Sequence, residues 1–127
     1  MHETRAHRRL AAILAADIAG YSSMMGVDEA GTLAVLREFW ANHFNRAVAA
    51  HRGRVVKMMG DGALVEFASA VDAVDCALAI QLGMAAFNAS HEDRSPVELR
   101  IGLNLGDIVI EKDDIFGDGV NIAARLQ

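Results

Sequence analysis

The sequence predicts an α+β fold: a ferredoxin-like split β-α-β core, with an antiparallel-rich sheet and helices on one face. Three observations carry this. A short apolar run, Leu10–Ala16, reads as a buried strand. Two longer segments, 28–51 and 69–90, show the three- and four-residue recurrence of helices. Between them stands a compact hairpin pattern, RVVKMMGDGALVEF, and further strand-like sequence follows the second helix. The resulting order is β-α-β-β-α-β-(β)-α.

The elements are justified in turn. The alanines of Leu10–Ala16 favour helix on propensity, but the run is brief and Asp-Ile-Ala-Gly follows, which points to a strand. From Asp28 to His51, Leu33, Leu36, Trp40, Phe44 and Val48 form an apolar stripe, with Arg37, Glu38, Asn45 and Arg46 mostly off it. Gly53 marks the helix end. In the hairpin, Lys57 interrupts an apolar strand and Asp61 sits at the turn. Ser69 is placed as an N-cap with Asp72 in the first helical turn, and Val71, Val74, Leu78, Leu82 and Ala85 are expected to form the buried face. Pro96 closes the loop His91–Ser95. Val97–Ile110 reads as one or two strands with a break at Gly106-Asp107, Asp113–Gly117 as a turn, and Val120–Leu126 as the start of a third helix. Residues 1–9 are expected to be an N-terminal tail and 10–127 a single domain, incomplete at its C-terminus because the last helical pattern stops without a cap.

Composition narrows the class. A chain of 127 residues that is 53% hydrophobic and 23% charged can bury a core of its own. The net charge of −5 disfavours non-specific binding to nucleic acid or acidic lipid. The single cysteine, Cys76, lies in an apolar segment and reads as a buried residue in a cytoplasmic protein. His2, His7, His43, His51 and His91 lack zinc-ligand spacing. Arg8-Arg9 before LAAILAA imitates a secretory signal, but Asp17 ends a short apolar stretch and no cleavage site follows. No run is read as approaching the roughly 20 residues of a membrane span, so no membrane contact is expected.

Two carboxylates stand at strand ends. Asp17 closes the first strand and Asp61 tips a hairpin that can pair beside it, a hard-oxygen arrangement suited to Mg²⁺ or Mn²⁺. The plain alternative for Asp61 is a turn residue, since Asp-Gly favours hairpins whatever their function. Ala19, Gly20 and Tyr21 open a helical turn whose backbone N–H groups suit phosphate. Asn121 and Arg125, four apart, share one helix face. Without other context that face is a solvated one, Asp114 a turn residue, and Lys57 a snorkelling edge residue.

Together these segments resemble the class III nucleotidyl cyclase catalytic domain, over Leu10–Gln127 and in the family's order. ILAADIAGYSSMM is similar to its first metal motif, VVKMMGDGALVEF to its lysine-and-aspartate hairpin, and RIGLNLGDIVI to the strand after it. DDIFGDGVNIAARLQ is similar to the segment with the base-selecting aspartate and the Asn/Arg pair. The resemblance implies a palm-like fold in which Asp17 and Asp61, helped by the Ile18 carbonyl, hold two divalent ions. It implies that Lys57 and Asp114 read adenine, Asn121 orients the ribose, and Arg125 stabilises charge on the transferring phosphate. The implied reaction converts ATP to 3′,5′-cyclic AMP and pyrophosphate. The sites are then shared across a homodimer, one chain giving the carboxylates and its partner the other four side chains. A triphosphate-binding cation is expected beyond Gln127, and the segment from Leu105 to Asp114 is short for the family's dimerisation arm.

Three rivals follow. A guanylate or dual-specificity cyclase would carry other residues at positions 57 and 114. A catalytically inactive dimerisation or regulatory module with the same fold is the second. A diguanylate cyclase or polymerase palm is the third, although the hairpin reads Met-Gly-Asp-Gly and not Gly-Gly-Asp/Glu-Glu-Phe.

Overall fold

A computed structural model describes residues 7–111 and 114–116, with side chains described over residues 10–107. The elements are β1 (His7–Ile18), α1 (Tyr21–Val27), α2 (Glu29–Phe39), a π-helical turn (Trp40–Phe44), α3 (Asn45–Ala50), β2 (Arg54–Met59), β3 (Gly62–Phe67), α4 (Ala70–Ala89), β4 (Leu99–Glu111) and β5 (Asp114–Phe116). The sheet order is β2-β3-β1-β4-β5 with every neighbouring pair antiparallel. The first four strands therefore have the split β-α-β arrangement that the sequence predicts.

Strand β1 sits at the centre and its alternation separates two faces. Ala12, Leu14, Ala16 and Ile18 join the main core beneath the helices, while Ala11, Ile13 and Ala15 form a smaller cluster with Val56 and Leu64 on the opposite face. The strand starts at His7, so three residues assigned to the tail belong to the sheet, paired with β4.

The stripe of the first long helix is confirmed at Leu36, Trp40, Phe44 and Val48; Leu33 is only half-buried, and Thr32, Val35 and Phe39 are buried as well. A strict four-residue step overshoots an α-helical turn by about 40°. The π turn, closed by the Asn45 N–H donating to the Trp40 carbonyl, takes that drift back and keeps the stripe on the sheet. At the C-terminus Arg52, not Gly53, adopts the left-handed conformation (φ 60°), and the Gly53 N–H donates to Val48 O at 2.9 Å.

The N-cap of α4 forms as expected, with Ser69 Oγ accepting from Asp72 N at 3.3 Å. Its buried face does not. Ala73, Cys76, Ala77, Ile80, Met84 and Phe87 face the core, and Val71, Val74, Leu78, Leu82 and Ala85 are exposed, Leu82 by 73%. The helix is apolar all round, so periodicity cannot select a face. Polar anchors fix its rotation instead. Asn88 Nδ2 donates to Val97 O at 2.9 Å and its Oδ1 accepts from Val97 N at 2.8 Å, while Gln81 Nε2 donates to Leu99 O at 2.9 Å. By length and hydropathy alone α4 could cross a membrane, contrary to the sequence reading that no run comes near. It lies instead against the sheet.

Two further expectations are corrected. Strand β4 runs through Gly106-Asp107 without a break, because β1 pairs with it from His7↔Ile110 to Ile18↔Leu99. Asp114–Phe116, read as a turn, forms β5 against β4. Val120–Leu126, with Asn121 and Arg125, lies outside the described residues.

Candidate active site

The corner where β1 ends is built from backbone first. Asp17 is the register partner of Gly62 at the start of β3, and the Ile18 N–H donates to the Asp61 carbonyl at 2.8 Å. The two aspartates are thus neighbours at the ends of adjacent strands. A Cβ at Gly62 would stand 2.7 Å from Ala16 O, so only glycine lets β3 approach this closely. Beyond Ile18, the Ala19 N–H donates to Glu98 O at 2.8 Å, so that amide is engaged in closing the sheet end. Gly20 then takes a left-handed conformation (φ 71°) that side chains rarely adopt, and α1 turns away from it. The Tyr21 hydroxyl lies against the hairpin tip, 3.3 Å from where a Cβ of Gly60 would be.

Across β1 from the hairpin, Arg100 is the register partner of Asp17. Its guanidinium grips that carboxylate in a fork: Nε donates to Oδ1 and Nη2 to Oδ2, each at 2.9 Å. Asp61 and Glu98 add to the negative field at Arg100, and its pKa is raised, first by the Asp17 hydrogen bond and charge. Sequence reasoning missed this residue. The only signal was a lone cation opening the RIGLNLGDIVI strand; its partner lies 83 positions away.

Lys57 owes its place to a β-bulge. Val55 pairs with Val65 and Lys57 with Leu64, leaving Val56 as the extra residue. In a regular strand Lys57 would share the core-facing side of Val55. The bulge moves it to the row of Leu64 and Ala15, on the face away from the helices. On the same alternation, Asp17 and Arg100 belong to that face. Lys57 is exposed, on a strand more open than the half-buried one read from sequence. Asp114 begins β5 opposite Glu111. Although β2 and β5 stand at opposite ends of the sheet order, the sheet curls until their Cα atoms come within 8 Å. The strand bearing Lys57 and the strand bearing Asp114 are therefore brought together.

The donor set fits a divalent ion of the Mg²⁺ type. Two neighbouring carboxylates with a backbone carbonyl beside them are hard oxygen ligands, and such ions take one or two carboxylates with the rest from phosphate and water. Among the described residues no three His, Cys, Asp or Glu side chains gather, so no protein-only cage competes. The Arg100 guanidinium, a cation already seated on Asp17 and felt by Asp61, shows that the corner attracts positive charge. Elsewhere Cys76 is fully buried, with burial pushing its thiol up to about 11. His51 and His91 bond helix carbonyls at 2.8 and 2.7 Å, and His43 stacks on Phe39.

The family model for the adenylate and guanylate cyclase catalytic domain matches residues 5–127. The chain belongs to that family. This cyclase domain is 53% identical over 120 residues to "Putative adenylate cyclase 3" of Rhizobium meliloti (strain 1021), covering 94% of the chain and 20% of that protein. It superposes with a TM-score of 0.85 on a crystal structure described as an adenylate/guanylate cyclase/hydrolase from Silicibacter pomeroyi, at 46% identity, covering 96% of this chain and 71% of that one. The guanylyl cyclase Cya2 matches with a TM-score of 0.83 and 27% identity, covering 94% and 69%. The cyclase domain described here thus spans a fifth to a third of the length of the curated relatives it matches.

Proposed function

We propose that this cyclase domain acts on ATP, forming 3′,5′-cyclic AMP and pyrophosphate at a site completed by a second copy of the chain. The observation that carries the reading is the juxtaposition of Asp17 and Asp61 at the end of β1, on the sheet face that, among the described residues, no helix covers.

In this reading Asp17, Asp61 and the Ile18 carbonyl hold two ions, Mg²⁺ or Mn²⁺. When bound, such ions lower the pKa of an attacking hydroxyl and neutralise the triphosphate. The chain's own groups do the remaining work. Gly20 and Tyr21 head α1 beside the phosphates, with Ala19 shaping the turn through its N–H, which donates to the Glu98 carbonyl. Lys57 donates to a ring-nitrogen acceptor of adenine and Asp114 accepts from the exocyclic amino group. Asn121 fixes the ribose so that its 3′-hydroxyl lies in line with the α-phosphorus, and Arg125 meets the charge that develops on the transferring phosphate. The reaction needs little covalent help from protein, and losing one such electrostatic contact costs about 10²–10³ in rate.

The two-fold arrangement follows from one chain holding both halves of the machinery. The outward face with Asp17, Arg100 and Lys57 would look across at the partner's equivalent face. A cytoplasmic location agrees with the free Cys76 thiol and with ATP as substrate.

Complementation tests the shared site. Full-length Asp61→Ala and full-length Arg125→Ala should each be inactive, and mixing them should restore activity, because one interface of the mixed dimer keeps an intact site. No recovery, with both chains folded and dimeric, would end the shared-site reading. The likeness to a guanylyl cyclase at 27% identity favours one rival, GTP as substrate. Guanine presents the opposite hydrogen-bond pattern at the edges read by Lys57 and Asp114. Replacing Lys57→Glu with Asp114→Asn should therefore move preference toward GTP, and unchanged selectivity refutes the assignment.

A further inference from the structure

Arg100 and Asp17 face one another on neighbouring strands, and the pairing is set by register: each Cα is the other's partner in the β1–β4 ladder. Both guanidinium bonds measure 2.9 Å, one to each carboxylate oxygen. That two-point geometry is the strong form of an ion pair. Arg100 lies on the solvent side of it, its side chain 54% exposed against 23% for Asp17. The guanidinium thus covers the carboxylate from outside, on a long stem free to swing away.

We propose that Arg100 is a built-in counter-cation for the paired carboxylates, which a divalent ion must displace from Asp17 before it can bind. This rests on the reading of Asp17 and Asp61 as metal ligands. A guanidinium is permanently charged, so it cannot yield by losing its proton; it yields only by moving. A dication arriving at Asp17 meets both carboxylate oxygens already engaged and a positive group beside them. Without Arg100, the carboxylates of Asp17, Asp61 and Glu98 would lose the cation that the field of each reaches. With it, the corner is held in shape before the ion arrives. Arg100 is therefore a positioning residue whose cost appears as weakened ion affinity in the nucleotide-free protein.

The experiment is Mn²⁺ binding to the full-length protein without nucleotide, followed by electron paramagnetic resonance of the free ion. Wild type, Asp61→Asn, Arg100→Gln and Arg100→Lys are compared. Wild type should bind Mn²⁺ at a site that Asp61→Asn abolishes. Arg100→Gln should tighten that site by about fivefold, near the ceiling for a partly exposed ion pair. Arg100→Lys, which keeps the charge but loses the fork, should tighten it by about twofold, and it carries the test alone if the glutamine variant fails to fold. A merely structural arginine would, on removal, leave affinity unchanged or weaker, and that result overturns the proposal. If wild type shows no Mn²⁺ site that depends on Asp61, the metal reading itself fails and this inference with it; the two failures are told apart by the Asp61→Asn control.

Discussion

Gly62 is the position where one methyl group should do most harm to the candidate site. It faces Asp17 across β1–β3, and a Cβ there would lie 2.7 Å from the Ala16 carbonyl oxygen and 3.4 Å from Asp17 Cβ. Close carbon-to-carbonyl approaches in sheets stop at about 3.3 Å, so the overlap is about 0.6 Å against backbone, which cannot rotate away. Relieving it must push β3 from β1 where Asp17 and Asp61 meet. Overpacking of this kind costs about 1–3 kcal/mol. Stiffening of the unfolded chain by the alanine returns about 0.4–1 kcal/mol. Gly62→Ala should therefore lose about 1–2 kcal/mol, or about 4–8 °C in a thermal melt followed by circular dichroism. Mn²⁺ affinity should fall with it. Gly60→Ala supplies the control, since its Cβ meets only the Tyr21 hydroxyl at 3.3 Å, a group that can shift. Equal melting temperatures for the two variants, with Mn²⁺ binding intact in both, would refute the argument.

Three other outcomes are expected. Ile80→Ala should cost about 2–5 kcal/mol in urea denaturation, whereas Leu82→Gln on the exposed side of α4 should stay within about 0.5 kcal/mol; the reverse order would restore the face expected from sequence. Asn88→Ala removes both bonds to the buried Val97 backbone and should destabilise by about 2 kcal/mol, a loss that Asn88→Asp, still able to accept from Val97 N, should reduce. The Cys76 thiol is raised to about 11 by burial, so the folded chain prefers it neutral. Its contribution is whole below the unfolded thiol's pKa and is lost as pH rises toward 11, because only the unfolded state ionises in that window. Cys76→Ala should flatten the decline in stability above about pH 9, and Ellman's reagent should label the wild-type thiol only on unfolding.

What sequence made legible was whatever depends on neighbours in the chain. The Ser69 cap, the Gly60-Asp61 turn and the Leu36-Trp40-Phe44-Val48 stripe are local, and they stand where local chemistry puts them. The convergence of Asp17 and Asp61 was legible because a hairpin lying beside β1 has few places to go. What failed depends on partners distant in sequence. Helix α4 carries two apolar faces, and the choice between them is made by Asn88 and Gln81 reaching β4. Gly106-Asp107 looks like a break, yet β1 pairs with both residues and holds them in the strand. Arg100 could not be tied to Asp17 without the register of the central strand.

The bulge at Val56 joins these two kinds of information and can be tested by deletion. Lys57 lies two positions after Val55, and in an unbroken strand both would enter the helix layer, burying an ammonium group among Val65, Phe67 and the helices. The extra residue breaks that parity. Because Val55 and Lys57 already pair with the consecutive residues Val65 and Leu64, removing Val56 leaves both pairings in place and Lys57 still on the outer face. The deletion should therefore fold, losing only the packing of Val56 against Ala11, Ile13 and Ala15, about 1–2 kcal/mol by the area one half-buried valine contributes. The proposed preference for adenine over guanine nucleotides should survive, read by competition of ATP and GTP in the same assay. Inserting an alanine beside Val56 would put Lys57 three positions after Val55, still on the outer face of an unbroken strand but opposite Gly62 and no longer opposite Leu64, so the chain should fold while the displaced lysine loses its selectivity. If deletion and insertion leave selectivity equally intact, register is not what places Lys57, and its position has to be explained by the hairpin turn alone.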